Sequence, residues 1–264
     1  MELDDAYANG AYIEGAETYP PKWAKAAAAM RDALGERAQL AQSYGPSERQ
    51  KYDLFLPEGT PEGTVIFVHG GYWRMFDRSS WSHLAAGPLE RGWAVAMPSY
   101  DLCPSVRICQ ITLQIAAAVK AIAERTSGPI SITGHSAGGH LSARMLDHAL
   151  LPDPVAQRLT HVMPISPLAD LRPLRRTVMN ADFHMLEVEA IAESPLLMHN
   201  RHDVPVTVWV GGDERPAFLD QARWLCEAWT HAKLHVAPGR HHFDVIEDLE
   251  LPDSPLTNAL LDEI

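Results

Sequence analysis

In Gly134-His135-Ser136-Ala137-Gly138 a serine stands between two glycines with the spacing GxSxG. An apolar strand-like segment at 129–133 precedes it, and an Ala- and Leu-rich helical stretch follows at once. A strand-to-helix turn this tight forces the serine into strained dihedrals, and glycines on both sides remove the Cβ atoms that would collide. The expected result is a Ser136 hydroxyl pushed out above a sheet, placed as a nucleophile. The plainer reading, a glycine-rich helix start with a capping serine, loses ground because of that strand-turn-helix context.

Further chemistry-bearing residues follow other strand-like segments. His69-Gly70-Gly71-Tyr72-Trp73 comes directly after an apolar run, where paired glycines let backbone N–H groups face a cavity. Fixed amide donors suit the oxyanion of an acyl transfer, each worth roughly 2.7–4 kcal/mol; Gly71, Tyr72 and Ala137 are the expected donors. Near the carboxyl end, Arg240-His241-His242-Phe243-Asp244 offers two histidines, either of which suits general acid and base work near neutral pH. His242 is preferred because it directly precedes Phe243, an apolar anchor for the loop, and His241 is read as its neighbour. Gly211-Gly212-Asp213-Glu214 supplies two adjacent carboxylates, only one of which can orient the histidine. The chain order serine, acid, histidine fits either. The remaining histidines are scattered, none in an HExxH spacing, so no metal site and no cofactor are expected.

These residues need a scaffold, and the hydropathy pattern describes one. Short Val-, Ile- and Phe-rich segments at 51–56, 64–69, 93–98, 130–134, 161–165, 206–210 and 233–237 alternate with helical stretches at 79–91, 105–125, 137–150 and 216–230. That alternation marks an α/β fold with a mostly parallel central sheet flanked by helices. Ligands of such sheets lie beyond the carboxyl ends of the strands, where every residue named above falls. A helical stretch at 21–42 around Trp23 suggests an amino-terminal helical extension over 1–48, with the main domain at 49–264. Residues 168–203 are too long for a simple connection and are expected to form a small cap insertion. Its Arg172, Arg175 and Arg176 are candidates to pair with a substrate carboxylate, and Trp23 is an alternative roof.

Whole-chain properties exclude other classes. The 264 residues are 46% hydrophobic, enough for one sizeable core. The formal net charge is −12 with no basic block, which disfavours nucleic acid. The longest apolar runs fall far short of the roughly 20 residues of a membrane span. An acidic start, MELDDAYANG, and three cysteines without a CxxC pair are read as a cytosolic protein without disulfides.

Taken together, HGGYW at 69–73, YDLCP at 100–104, GHSAGGHL at 134–141 and HHFDVIEDL at 241–249 resemble the α/β-hydrolases with an HGG oxyanion motif, and within them the arylformamidases, or kynurenine formamidases. GHSAG is common to many esterases, whereas HGGYW with YDLCP and HFDVIEDL is more specific. The resemblance implies the α/β-hydrolase fold and a cofactor-free serine hydrolase acting on a small-molecule formamide or ester through an acyl-enzyme, with removal of formyl from N-formylkynurenine as the leading activity. In that family the acid stands three residues after the glycine closing its strand. Counting from Gly211 selects Glu214, a departure from the usual Asp that keeps Asp213 as the alternative. A formyl-specific site needs a cramped acyl pocket, which Trp73 and Tyr72 are positioned to supply. The rivals are a broad carboxylesterase or thioesterase and, from another class, a ligand-binding protein retaining the fold without its chemistry.

Overall fold

The structure, a computed structural model, describes residues 1–262. Eight strands, β1 (Ala38–Ser43), β2 (Lys51–Phe55), β3 (Thr64–Val68), β4 (Ala94–Pro98), β5 (Ile130–His135), β6 (Leu159–Ile165), β7 (Thr207–Gly211) and β8 (Lys233–Ala237), form one sheet in the order β1-β2-β4-β3-β5-β6-β7-β8. The β1/β2 and β2/β4 pairs are antiparallel and all others parallel. Every residue of β3, β4 and β5 is buried, as expected of parallel strands covered by helices on both faces.

Side-chain alternation divides the core. Ile66, Val68, Ile130 and Ile132 face one layer with the helices Ile108–Arg125, Ala137–Arg144 and Pro216–Ala228. Val65, Phe67, Val95 and Met163 face the other, packed with Trp23 of the helix Tyr19–Leu34, Trp81 and the helix Pro255–Leu261.

The chain runs from β3 outward to β4 and then returns to add β5 on the opposite side of β3. This reversal creates a crevice at the carboxyl ends of β3 and β5, the usual place for a ligand in an open α/β sheet. Val68 and Gly134 are register partners there, so the HGG loop and the GHSAG turn leave the sheet side by side.

Two expectations need correction. The helix expected over 21–42 stops at Leu34, where Gly35 takes φ 53°, and residues 38–43 become β1, paired with β2. The sheet therefore begins inside the stretch read as a helical extension. The segment 168–203 folds into short helical turns but contributes no residue to the wall of the cavity lined by Ser136 and His242. The roof comes instead from residues 9–23.

Candidate active site

Ser136 holds φ 57° and ψ −115° at the turn between β5 and the following helix, a conformation L-residues rarely adopt. Its surroundings enforce it. A Cβ on Gly138 would lie 1.9 Å from the Val68 carbonyl oxygen, and one on Gly134 would lie 2.5 Å from the Gly138 oxygen. The Ser136 N–H donates to the Ile165 carbonyl at 2.8 Å, and the Ser136 carbonyl accepts from His140 N–H at 3.0 Å. Ala137, first in the helix, has an N–H with no acceptor inside that helix.

The HGG loop is equally constrained. Gly71, Tyr72 and Trp73 have successive φ values of 105°, 50° and 56°, so the backbone coils left-handed as it leaves β3. A Cβ on Gly71 would sit 2.6 Å from the Met75 carbonyl oxygen. That loop is held by the YDLCP stretch: the Tyr100 hydroxyl donates to the His69 carbonyl at 2.8 Å, and their rings stack with centroids 4.3 Å apart. Cys103 N–H donates to the Trp73 carbonyl at 2.8 Å, across a turn containing a cis Cys103–Pro104 bond. The two motifs are one structural unit. No acceptor among the described residues takes the N–H of Gly71 or Tyr72.

His242 is buried, and its Nδ1 lies 2.6 Å from Glu214 Oε2. A carboxylate oxygen accepts, so Nδ1 carries the proton and Nε2 is left as the basic nitrogen. The rings of Phe218 and His135 flank the imidazole at 4.4 and 4.5 Å. Glu214 is itself fixed: Oε1 accepts the Gly211 N–H at 2.9 Å and the hydroxyl of Ser166. Asp213 is exposed, and its N–H donates to the Arg240 carbonyl. His241 shapes the loop, with Nε2 3.1 Å from the Tyr19 hydroxyl and Nδ1 accepting from Phe243 N–H. Ser166 escaped the sequence reading, although it directly follows β6 and so obeys the rule that located the other site residues.

Ser136 and His242 both line a cavity of about 420 Å³. Its walls are mostly apolar, with Tyr72, Phe76, Trp81 and Phe243 from the main body and Asn9, Gly10, Ala16, Pro20 and Trp23 from the amino-terminal segment. Burial pushes the His135 imidazole well below its ordinary pKa, with His242 adding to the effect, and burial holds His69 down to about 4. Both are therefore neutral at pH 7, leaving no competing cation beside the serine.

Trp73 is not where its position in the motif suggested. The ring is fully buried beneath the loop, edge-on to His140 at 5.2 Å and to Phe183 at 5.5 Å. The left-handed turn at Tyr72 and Trp73 points neighbouring side chains apart, sending Tyr72 to the cavity and Trp73 into the core. The cap arginines are likewise engaged elsewhere. Arg172 pairs with Asp170 at 2.7 Å, Arg175 with Glu187 at 3.4 Å, and Arg176 with Glu2. Among the described residues no group of three or more His, Cys, Asp or Glu is placed to hold a metal ion, and no helix is long and apolar enough to cross a membrane.

A serine on a strained strand-to-helix turn at the switch point of a mostly parallel sheet, lining one cavity with a buried His-Glu pair, is the layout of the α/β-hydrolases. The family model for the alpha/beta hydrolase fold matches residues 65–242, and the chain belongs to this family of enzymes. It is a hydrolase. Among its relatives, kynurenine formamidase of Danio rerio is 28% identical over 231 residues, covering 83% of this chain and 79% of the relative. Kynurenine formamidase of Salmo salar is also 28% identical, over 246 residues, covering 86% and 84%. Among solved structures, a candidate thioesterase of Silicibacter sp. TM1040 superposes with a TM-score of 0.97 at 63% identity, over 98% of this chain and 99% of that one. Esterase B of Lactobacillus rhamnosis shares the fold at 18% identity, with a TM-score of 0.67 over 92% and 90% of the two chains.

Proposed function

We propose that this chain is a serine hydrolase that removes a small acyl group, foremost the formyl group of an N-formylkynurenine-type aryl amide, through an acyl-enzyme on Ser136. The observation that carries the proposal is the 2.6 Å contact between His242 Nδ1 and Glu214 at the same cavity as the strained Ser136. In this reading His242 Nε2 takes the Ser136 proton as Oγ attacks the carbonyl carbon. The oxyanion rests on the N–H groups of Gly71, Tyr72 and Ala137. Collapse of the tetrahedral intermediate breaks the bond to the leaving group, which departs with the proton held by His242. Water, deprotonated by the same imidazole, then attacks the acyl carbon and releases the acid and free Ser136. The formamidase preference draws on the Danio rerio and Salmo salar relatives and on an aromatic compartment suited to an aryl leaving group. Three free cysteines, none in a disulfide, support a cytoplasmic setting.

A second reading, a carboxylesterase or thioesterase of broader scope, is favoured by the 63% identical candidate thioesterase. Turnover of N-formylkynurenine, phenyl acetate and a short acyl-CoA thioester by wild type and Ser136→Ala separates the readings. A formamidase shows kcat/KM for N-formylkynurenine at least about 100-fold above the other two, and Ser136→Ala loses on the order of 10⁴-fold or more. A thioester or ester preference selects the second reading. Failure of a sulfonyl fluoride to label Ser136 in the folded protein, with no turnover of any substrate, overturns both and favours a binding protein.

A further inference from the structure

The compartment facing Ser136 is walled by aromatic rings that pack on one another. Trp23 and Trp81 lie 4.8 Å apart, Phe76 and Trp81 5.4 Å, and Trp23 and Phe243 5.6 Å, while Tyr72 closes the side next to the oxyanion loop. One carboxylate joins this wall: Glu17, exposed at the rim where the amino-terminal segment crosses the cavity. Of the basic side chains around this wall, Arg49 is spent on the Tyr100 and Phe76 carbonyls, and three others pair with acids. Lys22 pairs with Glu247 at 2.6 Å, Arg74 with Asp182 at 2.6 Å, and Arg215 with Asp5 at 2.8 Å while covering the Tyr12 ring. Beyond the site, the chain carries a formal charge of −12.

Ring faces carry negative quadrupole density and attract cations that have shed water, a mode used for alkylammonium groups. An aromatic wall ending in a carboxylate on an acidic protein therefore favours positive charge and repels negative charge. We propose that the leaving group of the true substrate carries a positively charged nitrogen, seated against the aromatic wall with Glu17 as its counter-charge. This inference rests on the serine hydrolase reading above and narrows its substrate class. It replaces the expectation that cap arginines hold a substrate carboxylate: an amino-acid substrate would present its ammonium to Glu17 and turn its carboxylate toward water.

Three esters of similar shape test it: phenyl acetate, 3-(trimethylammonio)phenyl acetate and 3-carboxyphenyl acetate, each normalised to its hydroxide-catalysed rate. At low ionic strength the cationic ester is expected to exceed the anionic one by about tenfold or more in normalised kcat/KM. That ratio should fall severalfold in Glu17→Gln and in 0.5 M salt. Phenyltrimethylammonium is expected to inhibit competitively, with an inhibition constant raised about fivefold in Glu17→Gln, whereas benzoate at equal concentration inhibits weakly. A cation-to-anion ratio near one or below, or a ratio unmoved by Glu17→Gln, overturns the inference while leaving the hydrolase reading intact. No turnover of phenyl acetate by wild type, or equal turnover by Ser136→Ala, is instead a failure of the hydrolase reading.

Discussion

The hydroxyl of Tyr72 donates a 2.6 Å hydrogen bond to the backbone carbonyl of Tyr7, tying the loop that carries the proposed oxyanion donors to a segment far ahead in the chain. Tyr7 is itself buried, with its ring against Phe218 at 6.1 Å and its hydroxyl accepting from Gln221 at 3.0 Å. Phe218 in turn touches the His242 ring. One connected set of side chains thus braces both the oxyanion loop and the proposed base.

Tyr72→Phe removes that tether and leaves a buried carbonyl without its donor, a loss of about 1–3 kcal/mol. The expected outcome is a three- to tenfold fall in kcat/KM for phenyl acetate, carried by kcat because the loop amides act in the transition state. Steady-state kinetics beside a thermal melt test this. A drop confined to KM would mean that Tyr72 contributes wall area and not loop position.

Separate replacement of the two adjacent carboxylates distinguishes their roles. Glu214→Ala is expected to lower kcat/KM about 10³- to 10⁴-fold, since the imidazole loses its orienting partner and the acceptor for Nδ1–H. Asp213→Ala should stay within about threefold of wild type, as befits an exposed side chain. Ser166→Ala, which removes one of the hydrogen bonds fixing Glu214, is expected to fall between them. Equal losses in Glu214→Ala and Asp213→Ala would refute the assignment of the acid.

Trp73→Ala is expected to act on stability. Deleting a fully buried indole leaves a void worth about 3–5 kcal/mol, readable as a lower urea midpoint. Preference among acetyl, butyryl and hexanoyl esters should be unchanged, because the ring faces His140 and Phe183 and not the cavity. Phe76→Ala, which trims the wall, should broaden that preference with a smaller loss of stability. A chain-length shift in Trp73→Ala alone would reverse the assignment.

Acid sensitivity follows from three buried imidazoles. Burial holds His69 and His83 down to about 4 and His140 to about 3, against about 6.5 in an unfolded chain. Above pH 6.5 both states leave these rings neutral, and their contribution does not vary. As pH falls below 6.5 the unfolded chain takes up protons that the folded chain refuses, so stability is lost down to about pH 4, on the order of 3 kcal/mol per histidine. Urea midpoints measured from pH 7.5 to 4.5 should fall steadily, with a shallower slope in His83→Gln. Parallel slopes for the two proteins would contradict this account.

Most of the scaffold was readable in the chain because β2 to β8 each combine an apolar run with a break. β1 was not: Ala38–Ser43 is AQLAQS, half-exposed at the sheet edge, and edge strands without a buried face have no apolar period to detect. Ser136, His242 and Glu214 stand in loops named by their local pattern. Ser166 had no motif around it, and its part depends on β6 ending beside β7. The direction of Trp73 was hidden for a different reason, since alternation of side chains assumes extended backbone and fails where three successive residues take positive φ. Of the roof, only Trp23 was legible, as the alternative to the cap; Asn9 and Gly10 were hidden by distance and meet the cavity of Ser136 and His242 only in the folded chain.

That roof is one continuous piece of chain, residues 9–23, lying wholly ahead of the first strand. The proposed reacting groups, by contrast, sit on turns at strand ends, where a Cβ added to Gly134, Gly138 or Gly211 collides with backbone. Part of the cavity wall therefore lies apart in sequence from the proposed chemistry, while Tyr72, Phe76 and Phe243 share segments with it. Drift at the exposed positions of the 9–23 stretch, Glu17 among them, can retune which molecule enters while Ser136, His242 and Glu214 stay unchanged. A graft of residues 9–18 from a homologue, keeping Tyr7 as the anchor of Tyr72 and Tyr19 as the partner of His241, is thus a direct route to changing the diet of this hydrolase without rebuilding its engine.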